Sequence, residues 1–196
     1  QQQIVKRSIT TNSILLFSFL LLTVVNMHAQ QDAQFTQYMY NTVAVNPAYA
    51  GSRGVFSVFG IHRAQWIGLD GAPTTTGASF HTPINDSRIG LGVSMLQDAI
   101  GPSDKQTLSA DFSYTISTSE NYKLSFGLKG TASLFSIDYT KLNRYDTNDP
   151  RFQNNISNQF SPNIGAGIYL HSNKLYAGIS VPFMLQSKEF NDINSQ

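Results

Sequence analysis

The chain has 196 residues, enough for one domain, with a formal net charge of +1 and no cysteine. Disulfides and thiol chemistry are therefore excluded, and there is no basic patch of the kind that binds nucleic acid. The composition is rich in Ser, Thr, Tyr, Phe and Gly, which suits strands and turns.

Residues 1–29 read as a secretory signal peptide. Lys6 and Arg7 form its charged start, and Ile14 to Val25 form an apolar segment too short to span a bilayer as a helix. Ala29 suits the last leader position. Removing the leader leaves eleven basic side chains against twelve acidic ones, a net charge of −1.

An N-terminal arm follows at 30–54. It has neither clean helical nor clean strand periodicity. Asn46-Pro47 starts a turn, and Gly51 and Gly54 permit sharp bends. Phe35, Tyr38, Tyr40 and Tyr49 supply ring area with few charges, so the arm is expected to pack on whatever follows it. Gln37, Tyr38, Tyr40, Asn46, Pro47 and Gly51 are its candidate partner-binding or structural residues.

From residue 55 the pattern has period two. Along 122–134, Tyr122, Leu124, Phe126, Leu128, Ala132 and Leu134 share one face, and Lys123, Ser125, Gly127, Lys129, Thr131 and Ser133 share the other. The split recurs in four further stretches, and two less regular strands come first, which predicts seven strands near 54–65, 73–82, 88–97, 106–117, 121–136, 161–171 and 174–185. Short connections at 83–87, 118–120 and 172–173 alternate with longer ones at 66–72, 98–105 and 138–160. That alternation, with strands of roughly ten residues, is the habit of membrane barrels. If the short turns are periplasmic, the polar 138–160 loop faces outside.

A secreted β-sandwich also alternates apolar and polar residues. Small, Gly- and Ser-rich polar faces favour the barrel, as do Tyr114, Tyr122, Tyr169, Tyr176 and Phe183 near strand ends. The expected fold is all-β, an antiparallel transmembrane β-barrel over 55–185. Its odd strand count, and a polar stretch at 186–196 that reads as the start of a loop, predict truncation at the C-terminus.

Catalytic and cofactor signals are weak. His62, His81 and His171 lie on separate strands without metal-ligand spacing, and there is no nucleophile elbow or phosphate-binding loop. Asp146-Thr-Asn148-Asp149 resembles a calcium loop but lacks its Gly and terminal Glu. No enzymatic activity and no cofactor are expected.

Gln34-Phe-Thr-Gln-Tyr38, Asn41 and Asn46-Pro-Ala-Tyr-Ala-Gly51 resemble the N-terminus of the PorP/SprF family. Arg63-Ala-Gln-Trp66, Gly71-Ala-Pro73 and Ser79-Phe-His81 resemble its next segment. Asp98 to Gly101 and Gly127-Leu-Lys-Gly130 match more loosely, and the likeness runs over about 31–185. The resemblance implies an outer-membrane barrel of the type IX secretion system of Bacteroidetes. Such a barrel assists secretion or surface attachment of partner proteins, gliding adhesins included. Its implied partners are type IX secretion components, secreted surface proteins and membrane lipid. The alternatives are a passive outer-membrane channel or lipid transporter, an outer-membrane enzyme, and a soluble adhesin.

Overall fold

The computed structural model describes residues 38–84, 88–142 and 155–185. The predicted leader, Phe35, Gln37, residues 143–154 of the long loop and the stretch 186–196 lie outside the described residues. Seven strands run β1 Ser57–Ala64, β2 Thr74–Ile84, β3 Ile89–Ile100, β4 Ser103–Ser117, β5 Lys123–Ile137, β6 Ile156–His171 and β7 Tyr176–Val181. Each pairs antiparallel with the next, so one meandering sheet is built in chain order and curls into a half-barrel. Among the described residues no helix is long and apolar enough to cross a membrane.

Residues paired across a ladder share a face, so the register sorts the sheet into rows. One face carries rows such as Ile84–Ile89–Tyr114–Phe126–Ile168–Ile179 and Leu91–Phe112–Leu128–Ala166–Val181. Its large side chains are exposed. The other face carries Ser79–Ser94–Ser109–Thr131–Asn163 and similar small or polar rows, and these are largely buried. The sheet is therefore apolar outside and polar inside, the reverse of a sandwich strand and the pattern of a membrane barrel.

Several expectations change. The connection expected over 98–105 shrinks to Gly101-Pro102, because β3 and β4 stay paired out to Ile100 and Ser103. Strand β6 begins at Ile156, five residues before the alternation becomes legible, and Asn158 interrupts its start with a positive φ of 49°. Strand β7 stops at Val181 rather than 185. Pro182 has no N–H to donate, and pairing resumes only where Met184 N–H reaches Ile164 O. Tyr169 and Tyr176 are not girdle residues. Both lie on the inner face, Tyr169 opposite Ser125 and Gly178, and Tyr176 opposite His171. The rings of Tyr49, Tyr169 and Tyr176 pack together there, with centroids 5.4 and 6.1 Å apart.

Candidate functional site

The inner face is notched by a row of small residues crossing five strands: Gly90, Ser113, Gly127, Gly167 and Ser180. The arm lies in this trough. It consists of a 3-10 turn at Tyr38–Tyr40, a single helical turn α1 at Thr42–Val45, and a second 3-10 turn at Pro47–Tyr49. A Cβ on Gly127 would collide with the backbone of Pro47 and Ala48, so the depth of the trough depends on that glycine.

Asn46 sets the local conformation of the arm. Its extended backbone precedes Pro47, and its Oδ1 accepts a hydrogen bond from Ala48 N–H at 3.0 Å, capping the second 3-10 turn. Its Nδ2 donates to Ile168 O on β6 at 3.1 Å, so one side chain both shapes the arm and ties it to the wall.

A short helix leaves its last carbonyls without internal partners. Here the wall supplies donors. Lys129 Nζ donates to Val43 O at 3.1 Å and to Ala44 O at 2.9 Å, and Ser180 Oγ donates to Val45 O at 2.9 Å. Further along, Ser113 Oγ donates to Ala50 O at 2.6 Å, and Gly51 N–H donates to His81 Nδ1 at 3.2 Å. At the other end, Ser79 Oγ donates to Asn41 Oδ1 at 2.7 Å. The wall thus binds mainly the backbone of the arm.

Lys129 is opposite Asp111 in the row beside the trough, and their charged groups meet at 3.2 Å. Both are almost fully buried, at 4% and 3% exposure. Among the described residues neither carboxylate oxygen of Asp111 has a further hydrogen-bond partner. The ammonium is therefore shared between one buried carboxylate and two arm carbonyls, which couples the charge balance of the wall to the seating of the arm.

Of the residues predicted from sequence, Asn46, Pro47 and Gly51 come together in the trough. Gly51 has φ +71° and lies against Gly90 and Pro83, where a side chain has no room. Tyr40 is 67% exposed and lines a small open cleft beside β1 and β2, with Arg53, Phe59 and His81 also in its walls. Tyr38 lies on the first 3-10 turn, and Gln37 lies outside the described residues. Sequence reasoning did not single out Asp111, Lys129, Ser113 or Ser180. The available signal was an Asp and a Lys in mid-strand, each flanked on its face by Gly, Ser and Thr. Among the described residues no group of His, Asp and Glu is placed to hold a metal ion.

A search of curated proteins finds no match to the chain, and a search of solved structures finds none either. The family model described as type IX secretion system membrane protein PorP/SprF matches residues 27–196, which include the arm, all seven strands and every residue of the trough. The chain belongs to the PorP/SprF family of type IX secretion system membrane proteins.

Proposed function

We propose that this protein is an outer-membrane barrel that assists the type IX system in secreting partner proteins or attaching them to the cell surface, gliding adhesins among them. In this reading the arm is a fixed internal brace that supports partner engagement. The observation that carries it is the anchoring of residues 41–51, by wall donors from β2, β4, β5 and β7 and by Asn46 to β6, across a trough of small residues.

The test replaces Tyr38 and Tyr40 by Ala. Both residues precede the anchored segment, and the Tyr40 ring is mostly exposed, so the bonds from Asn41 to Gly51 remain available. Partner secretion is expected to fall while the barrel still inserts at normal abundance. Normal secretion by the double variant would remove the arm from partner engagement, and loss of the barrel would make the arm a folding element only. Ion conductance by the purified full-length protein in planar bilayers would support the channel reading instead.

A further inference from the structure

We propose that His81 is an acid-sensitive latch on the arm, holding its Gly51 end while the ring is neutral and releasing that end when the ring is protonated. The latch goes beyond the secretion reading, because it needs only the seated arm and stands whatever partner the barrel serves.

The bond that carries it runs from Gly51 N–H to His81 Nδ1, at 3.2 Å. An imidazole nitrogen accepts a hydrogen bond only while it carries no proton, so this bond requires the neutral ring with its proton on Nε2. A proton added at Nδ1 turns the acceptor into a donor, and two N–H groups then face each other. Gly51 has no second partner at hand. On either side, Ala50 N–H and Ser52 N–H bond within the arm, to Pro47 O and Tyr49 O, whereas Gly51 N–H turns to the wall. Gly51 also has little room to pivot. Its φ is +71°, and the backbones of Gly90 and Pro83 close the space beside its α-carbon. A repelled Gly51 therefore moves away from the wall.

The surroundings of His81 do not offset that change. The side chain lies in the inner row Ser57–His81–Gly92–Asp111–Lys129. Its direct neighbours there, Ser57 on β1 and Gly92 on β3, are uncharged. Asp111 lies two strands away and is already paired with Lys129 at 3.2 Å. From the arm, the Tyr49 ring packs on His81 with centroids 5.4 Å apart, and Tyr169 of β6 packs on the far side of Tyr49. Tyr40 and the cationic Arg53 share a small cleft with His81. Among the described residues a protonated His81 thus meets a like charge in Arg53 and no unpaired carboxylate. The cleft is open, so water can deliver the proton. Release is local, because Lys129 and Ser180 grip the carbonyls of Val43 to Val45 at the other end of the arm, and Ser113 holds Ala50 O. Acid therefore frees the chain from Gly51 toward β1.

Hydrogen exchange at the Gly51 amide of the purified full-length protein, corrected for intrinsic rates, tests the latch. Between about pH 8 and about pH 5, a range that spans histidine titration, its protection is expected to fall by about tenfold, the loss of one hydrogen bond. The Asn46 amide, bonded to Thr42 O within the arm, is expected to keep its protection. His81→Asn places a non-titrating oxygen on the same γ-carbon that carries Nδ1, so Gly51 is expected to stay protected at both pH values. His81→Phe keeps a ring without an acceptor, and Gly51 is expected to be unprotected at both. Protection of Gly51 that does not change with pH in the unaltered protein would overturn the proposal. So would an equal acid loss in His81→Asn, which would assign the titration to another group, or a protected Gly51 in His81→Phe, which would remove His81 as the acceptor. Loss of Asn46 protection in step with Gly51 would replace a local latch by release of the whole arm, and would also overturn it.

Discussion

Lys129 holds the arm at the cost of a buried charge, so its replacement should be more damaging than its hydrogen bonds alone suggest. Lys129→Met leaves Asp111 buried without a counter-charge and two arm carbonyls without a donor, a loss of about 3–5 kcal/mol. Adding Asp111→Leu should recover part of that loss, because the stranded charge disappears while the two carbonyls stay unpaired. Urea midpoints of the folded barrel, read from its heat-modifiable gel mobility, give the order wild type, double variant, single variant. Equal midpoints for the single and double variants would show that the pair does not share its charge as described. Asp138 behaves differently because it lies at the surface, just past β5. The Thr140 hydroxyl and N–H both donate to its Oδ1, with Asn155 adding a third bond, and they hold its carboxyl below the usual carboxylate range. A depressed folded value means that the ordering of the 139–141 turn is fully present above the ordinary carboxylate range and is lost as pH falls through the lowered value. Hydrogen exchange at the Thr140 amide, corrected for intrinsic rates, should therefore lose protection in acid, and the loss should be absent in Asp138→Asn.

At the scale of elements, the arm and the wall were legible to different degrees. Five of the seven strands, β3 to β7, follow from clear period-two alternation, because a barrel wall separates its faces along a strand, while β1 and β2 alternate less regularly. Strand ends were less legible. The β3–β4 hairpin continues through Asp98, Asp104 and Lys105, polar residues that read as loop but satisfy their backbone groups in the ladder. An aromatic near a strand end fits a girdle, but the register of Tyr169 opposite Ser125 and its packing against Tyr49 put it in an inner cluster. The arm's turn at Asn46-Pro47 and its bend at Gly51 were readable from residue type. Its anchoring was not, since most of the bonds involve backbone groups of the arm and these leave no mark on its sequence. The trough supplies the prediction at this scale. Gly127→Ala places a methyl group against the backbone of Pro47 and Ala48, so the arm must lift from the wall. A Val43→Cys reporter, buried under the seated arm, should be protected from thiol reagents in the otherwise unaltered protein and labelled when Gly127→Ala is added. Equal protection in both would show that the wall yields instead of the arm.

For the whole molecule, the outward rows define where a bilayer fits. Along β4 the apolar outer positions run from Ile116 to Leu108, eight residue steps or about 27 Å of strand. With the tilt usual for membrane barrels, that is about 21 Å of height, close to the roughly 25 Å apolar band of such proteins once side-chain width is included. Leu128 and Phe112 lie side by side in the middle row of this band, and Gln97 lies in the polar row that closes it. A charge should therefore be tolerated according to depth. Leu128→Arg should destabilise the inserted barrel by about 2–4 kcal/mol, and Gln97→Arg by about 0–1 kcal/mol, although both side chains point away from the interior. A soluble protein would give no such gradient, since both side chains would meet water. Folding titrations of the full-length chain into vesicles separate the two cases: a penalty that falls from Leu128 to Gln97 places the band in lipid, and equal small penalties would place this face of the sheet in water.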